Sequence, residues 1–308
     1  MHPASGRKVT ELIAVIAAVT DDEPRVLTID GARALPSGPY RTTDRSLQSS
    51  LRTWVERQTH HPLGYMEQLY TFADRDRTGD GTQFISISYL GLTREALSLR
   101  NGTGTWQSWY RYFPWEEQRQ AGPDIIRKTI APRLKEWAAK PLDKASRNLR
   151  QQRVATVFGQ AGMPWNEELV LQRYELLYEA ALVPEAIVGC PAGHDPHFGQ
   201  PMLHDHRRIV ATGIARLRAK IKYRPVIFEL MPEKFTFLQL QRAVEAIVGR
   251  LLHKQNFRRM IEQQELIEET GEASSETGGR PAKLLRFKRE IILERAVIGS
   301  KLPLARTR

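Results

Sequence analysis

The last hundred residues constrain the fold most, because their elements follow in an order that few architectures share. Arg207 to Lys220 reads as a helix with Val210, Ile214 and Leu217 on one side, although Gly213 interrupts the pattern. Arg224 to Leu230 reads as a short strand. Thr236 to Gly249 reads as a second helix, capped by Thr236, with Leu240, Ala243, Val244, Ile247 and Val248 among its apolar positions. After the Gly249-Arg250 break comes a third helix, Leu252 to about Glu265. Leu266 to Glu269 and Leu284 to Phe287 then read as two short strands around a Gly-, Ser- and Glu-rich stretch, Gly271 to Pro281.

Helix, strand, helix, tight turn, helix and hairpin is the order of a winged helix-turn-helix, which sets its last helix in the major groove of DNA. In the candidate recognition helix Phe257, Met260 and Ile261 have the spacing to face the core. Lys254, Gln255, Asn256, Arg258 and Arg259 remain to contact bases or phosphates. Arg280 and Lys283 of the hairpin, and Arg216 and Arg218 of the first helix, complete the expected DNA-contacting set. Charge agrees: from His204 onward there are 22 Lys and Arg against 12 Asp and Glu, whereas the first 203 residues hold 24 against 23. A basic domain beside a near-neutral one suggests a polyanion partner. A lone RNA-binding or structural module fits less well, because Phe257 and Phe287, the candidate stacking aromatics, read as core-facing rather than as stacking platforms.

The 308 residues suit two domains. At 41% hydrophobic and 26% charged, the composition is that of a soluble globular chain. No run approaches the roughly 18 apolar residues of a membrane span. The single cysteine, Cys190, excludes an intrachain disulfide, so a cytoplasmic location is expected.

In the N-terminal part Val9 to Val19, Arg25 to Ile29, Tyr65 to Phe72 and Gln83 to Leu90 read as strands, with turns at Asp21-Asp22-Glu23-Pro24 and Thr78-Gly79-Asp80-Gly81. Residues 44–58 read as a helix capped by Asp44, with Leu47, Leu51, Trp54 and Val55 on one face. Residues 101–203 read as mostly helical, with one helix starting at Asn166. The segment holding Trp106, Trp109, Tyr110, Tyr112, Phe113 and Trp115 reads as core or dimer interface. Cys190, His194, His197, His204 and His206 lie close together. Their spacing matches no common zinc finger, so no metal site is expected, and His206 with Asp205 reads as capping or packing the adjacent helix.

A second signal lies around the first helix. Nudix hydrolases carry the pattern G-x5-E-x7-R-E-U-x-E-E-x-G-U, where U is bulky and aliphatic. Gly38, Asp44, Arg52, Trp54 and Glu56 fall on its positions, while Thr53, Arg57 and Thr59 replace two metal-binding glutamates and the last glycine. Together with Met66 to Phe72, Asp205 to Ile209, Phe235 to Gln241, Asn256 to Arg259 and Gly279 to Lys283, this resembles the Nudix-related transcriptional regulators of NAD metabolism. The Phe113-Pro114-Trp115-Glu116-Glu117 segment is more similar to the NadQ type than to the shorter, related NrtR type.

The resemblance implies an α+β protein. A Nudix-like α/β/α domain with a helical insertion spans 1–203, and a winged-helix domain spans 204–308, with 204–222 as a joining helix. It further implies a homodimeric repressor of NAD biosynthesis or salvage genes that binds double-stranded operator DNA. An adenine nucleotide effector (NAD, ADP-ribose or ATP), held near Gly38, Asp44, Arg52 and Glu56, would release it. The alternative is a Nudix hydrolase of a nucleoside diphosphate derivative with an appended nucleic-acid-binding domain. Loss of two of three glutamates, with Arg57 placing a cation where magnesium would bind, speaks against catalysis.

Overall fold

A computed structural model describes residues 8–40, 46–60, 64–75, 83–95, 104–140, 143–187, 195–223, 226–274 and 281–288. The first strand, β1 (Lys8–Thr20), is apolar without a break from Leu12 to Val19 because both of its faces are covered there. Leu12, Ala14 and Ile16 point to one side, against Leu51 and Val55 of helix α1 (Leu47–Thr59). Ile13, Val15 and Ala17 point to the other, into the main core. β1 runs parallel to β5 (Gln83–Leu92) and antiparallel to β2 (Glu23–Thr28) and β3 (Ser37–Pro39). With β4 (Tyr65–Arg75) and β6 (Thr105–Ser108) the sheet order is β4-β5-β1-β2-β6, and β3 pairs beside β1. The tight β1–β2 turn puts Asp21 and Asp22 at φ 53° and 59°, left-handed conformations that Asp tolerates and a two-residue hairpin requires.

Helix α6 (His206–Tyr223) lies on the sheet face opposite α1, touching β1, β4 and β5. This gives Gly213 a reason: a Cβ there would sit 2.9 Å from Cγ1 of Val15, in the middle of the sheet. Val15 is β-branched and buried, so it cannot swing aside cheaply. Gly213→Ala is therefore expected to destabilise by about 1–3 kcal/mol, although alanine would ordinarily gain about 1 kcal/mol in a helix interior. Chemical denaturation measures this, and a stabilised variant would show that α6 sits farther from the sheet. The expected boundary at 203/204 thus precedes a helix that is itself a layer of the α/β/α sandwich as well as the route out of it.

The insertion builds a further layer. Trp109, Tyr112, Phe113 and Trp115 are fully buried, and Phe113 meets Trp115 edge to face at 6.0 Å and Tyr174 at 6.2 Å. The aromatic segment is core, one of the two expected roles. Around it pack α2 (Gly122–Ile125), a π-helical stretch Ile126–Ile130, α3 (Ala131–Ala139), α4 (Lys144–Phe158) and α5 (Val170–Glu179). Helix α5 starts four residues later than expected, because Asn166 Oδ1 accepts from the amide of Glu168 in a local turn instead of capping a helix.

Beyond α6 the chain forms a 3-10 turn, Val226–Leu230, where a strand was expected. Val226, Ile227, Leu230 and Met231 bury one side at helical spacing, a pattern an alternating strand cannot provide. The short β7 (Phe235–Thr236) takes the strand's place beside the hairpin. Helix α7 (Phe237–Val248) begins with the capping box Thr236/Gln239 and ends at Gly249, φ 77°. Helix α8 (Lys254–Gln263) and the strands β8 (Ile267–Ser274) and β9 (Ala282–Phe287) follow, in the sheet order β7-β9-β8. One hydrophobic cluster runs from Ile13 and Val15 through the insertion to Leu240, Ile247 and Phe257. No helix among the described residues is long and apolar enough to cross a membrane.

Candidate nucleic-acid interface

Helix α8 is anchored by Phe257, which is 3% exposed and meets Phe237 edge to face at 5.6 Å. Lys254, Gln255, Asn256, Arg258 and Arg259 all project into solvent. Met260, expected in the core, is exposed as well: on this short helix Phe257 and the half-buried Ile261 suffice as anchors. Arg258 pairs with Glu262 at 2.8 Å and lies 5.6 Å over the Phe237 ring. On the hairpin, Lys283 pairs with Glu269 at 2.8 Å and Arg286 with Glu268 at 2.6 Å. A groove runs between α8 and the hairpin, lined by Lys254, Arg258 and Lys283 together with Glu262 and Glu269. Arg280 lies outside the described residues.

Helix α6 corrects part of the charge argument. Arg216 is exposed, but Arg218 has no accessible surface and cannot meet a polyanion. Its position, four residues after Ile214 and seven after Ala211, puts it on a buried face of the helix. Arg207 is buried too, paired with Glu185 at 3.0 Å and donating to the carbonyls of Tyr112 and Phe198. Arg208 pairs with Glu175, Lys220 with Glu67, and Lys222 with Glu167 and Glu168. Much of the positive excess after His204 is thus internal wiring and not a DNA-facing surface.

Arg218 instead holds the winged helix to the rest of the chain. Glu116 sits between Arg173, at 2.5 Å, and Arg218, at 2.5 Å, all three fully buried. Burial alone would raise the Glu116 pKa, but the two guanidinium groups outweigh it and hold the carboxyl below its ordinary range. Arg218 Nε also donates to the Ile247 carbonyl at 2.7 Å, and the Tyr110 hydroxyl donates to the Ala246 carbonyl at 2.6 Å. Burial pushes the Tyr110 phenol up to about 12, so it remains a donor throughout the physiological range. The last carbonyls of α7 are thus capped by the insertion and α6. Gly249 leaves no room for a side chain, since a Cβ there would lie 2.4 Å from the Glu116 carbonyl oxygen.

The Nudix-like helix carries weaker chemistry. Its cap is Ser46, whose hydroxyl accepts from the Ser49 amide, and the helix begins at Leu47; Asp44, the expected cap, lies outside the described residues. Gly38 is buried opposite Leu12, and the Trp54 indole occupies the space a Cβ would need, 2.3 Å away. That glycine serves packing. Arg52 donates to the Gly64 carbonyl at 2.9 Å. The Thr53 hydroxyl is turned back onto the Ser49 carbonyl, Glu56 is exposed, and Arg57 lies 5.9 Å over the Trp54 ring. Where a magnesium site would present three carboxylates, these positions present one carboxylate, one hydroxyl and one cation.

Cys190 and His194 lie outside the described residues. His197 pairs with Asp195, and His206 Nδ1 accepts from the Leu35 amide at 2.8 Å in the interior, the packing role expected of it. Among the described residues no group of three or more His, Cys, Asp or Glu is placed to hold a metal.

The described residues thus form a mixed-sheet α/β/α sandwich followed by a winged helix. Residues 227–287 match the model of the NrtR DNA-binding winged helix domain. The structure is similar to that of NrtR from Shewanella oneidensis complexed with a 27mer DNA (TM-score 0.56, 18% identity, 91% of this chain and 93% of that one). It is also similar to a MutT/nudix family protein from Enterococcus faecalis (TM-score 0.53, 16% identity, 94% and 89%). Over 83 residues the sequence is 40% identical to the ADPR responsive transcriptional repressor NtrR of Acinetobacter baylyi. That match covers 27% of this chain and 33% of the relative, so the chain spans about a third of the length of the curated relative it matches.

Proposed function

We propose that the chain is a transcriptional repressor of NAD biosynthesis or salvage genes, released by an adenine nucleotide. The observation that carries the reading is the NrtR-type winged helix at 227–287, whose α8 offers Lys254, Gln255, Asn256, Arg258 and Arg259 to solvent. Lys283 and Arg280 of the wing and Arg216 of α6 supplement them against phosphates. The effector is a nucleotide held by the Nudix-like domain, where α1 carries Arg52 and Glu56. ADP-ribose is favoured over NAD and ATP, since the curated relative is ADPR-responsive. A ligand that binds two arrangements of the DNA-reading heads equally shifts nothing, so the effector must prefer the arrangement that fits DNA less well. The working unit is a homodimer, because helix-turn-helix repressors read two half-sites about a two-fold axis.

The domain is a binding site without turnover. Thr53 and Arg57 stand where a hydrolase needs carboxylates, and a cation there opposes magnesium. A magnesium-dependent hydrolysis assay on ADP-ribose and NAD is expected to show no enzymatic rate; turnover at an ordinary rate would favour the hydrolase reading, which the likeness to the Enterococcus faecalis protein keeps in view.

Gel shifts on promoters of the host's NAD genes, with ADP-ribose, NAD and ATP added in turn, test the whole. Binding released by one nucleotide is expected. By linkage, the DNA weakens that nucleotide's binding by the same factor, commonly about 5–150-fold. Nucleotide binding indifferent to DNA would leave a constitutive DNA-binding protein.

A further inference from the structure

Two of the cations expected to meet DNA are already neutralised within the chain. Arg258 of α8 is held by Glu262 at 2.8 Å, and Lys283 of the hairpin is held by both oxygens of Glu269 at 2.8 Å. All four side chains are more than half exposed and line the one groove between recognition helix and wing. Lys254 and Arg259, in contrast, have no carboxylate partner among the described residues.

We propose that Glu262 and Glu269 hold down the affinity of this face for duplex DNA, so that phosphates alone do not secure binding; the inference rests on the DNA-binding reading above. Exposed ion pairs add little to stability, so folding does not explain two of them in this groove. Their electrostatic effect on a polyanion is larger. Each carboxylate must give up its cation and then remain within a Debye length, about 8 Å, of the phosphates. The cost falls on every sequence alike. A duplex that also satisfies Lys254, Gln255, Asn256 and Arg259 at base edges can offset it, whereas a random duplex offering only phosphates cannot. A cost common to all sequences leaves the ratio of affinities unchanged but lowers their absolute level, so binding to random duplex falls away first. A wing bearing free cations would instead bind any DNA through counterion release.

The test uses the full chain and the variant E262Q/E269Q, with two probes: a random-sequence duplex of about 30 base pairs, long enough for two half-sites, and the duplex that the wild type enriches from a random pool. Affinities are measured over a salt series. The variant is expected to bind the random duplex about 5–30-fold more tightly at low salt, with a log–log salt slope steeper by about 1–2. Its gain on the enriched duplex is expected to be of similar size, so affinity rises for both while their ratio holds. Circular dichroism and melting temperature monitor folding, and E269Q alone, on the exposed hairpin, repeats the test should the double variant fold poorly. A folded variant that binds the random duplex like the wild type overturns the inference and leaves the DNA-binding reading intact. A wild type that enriches no sequence and binds neither duplex overturns both.

Discussion

Replacing Glu116 by alanine is expected to lower the unfolding free energy by about 3–5 kcal/mol, because it strands Arg173 and Arg218 as uncompensated buried charges. No arginine in such a site gives up its proton to relieve the strain. Glu116→Gln keeps the volume and some hydrogen bonding but removes the charge, so it should cost most of the same amount. Equilibrium denaturation measures both, and a loss under about 1 kcal/mol would mean that water reaches the triad. The pH dependence has a definite sign. The folded Glu116 pKa lies below its ordinary value of 4.5. Its contribution is therefore fully present above about 4.5 and is lost as pH falls below that value through the folded pKa. The wild type should lose stability over that acid range more steeply than Glu116→Gln. Local consequences should follow the wiring: Arg218 caps the end of α7, and the turn at Gly249 leads directly to α8. Loss of Glu116 should accordingly loosen the attachment of the winged helix before it loosens the sheet, which hydrogen exchange at the α7 C-terminus against β1 would reveal.

The parts of this molecule that sequence makes visible are those where one periodicity dominates. β1 is legible as an unbroken apolar run, α7 as a stripe opened by Thr236 and closed by Gly249, and the helix-turn-helix order follows from these punctuation marks. Failures arise where two signals compete. At the start of α1, Asp44 and Ser46 are both good caps, and the reciprocal hydrogen bonds with Ser49 belong to Ser46. Asn166 resembles a cap but closes its own local turn. β6 is four residues long, too short to show alternation, and exists because β2 offers an edge. Formal charge misleads most: the cations of α6 look like a DNA face until the burial of Arg207 and Arg218 and the pairing of Arg208, Lys220 and Lys222 are known. A signal for Arg218 was present in its spacing from Ala211 and Ile214, but a charged residue on an apolar stripe becomes interpretable only when its partner, Glu116, 102 residues away, is in place. The Nudix-like site is hardest to read for a different reason. Its Gly38 falls on a motif position, yet what requires glycine there is the Trp54 indole, a contact the motif does not spell out.

Replacing both Arg258 and Arg259 by alanine is expected to weaken binding to the enriched duplex by roughly 30-fold to 10^4-fold, since one bidentate contact is worth about 1–3 kcal/mol. The fold should not suffer: both residues are exposed, and α8 is anchored by Phe257. The two arginines should not contribute alike. Arg259 has no carboxylate partner among the described residues, so Arg259→Ala removes a cation and nothing else. Arg258→Ala also releases Glu262 as a bare anion on the same face, and the phosphates should repel it. Arg258→Ala should therefore cost more than Arg259→Ala in the wild type, and the difference should shrink when Glu262 is glutamine. A double-mutant cycle over Arg258 and Glu262, read by affinity for the enriched duplex at two salt concentrations, isolates that coupling. Identical costs in both backgrounds would mean that Glu262 does not feel the DNA. Unchanged binding by the folded double arginine variant would mean that α8 is not the helix that reads the operator.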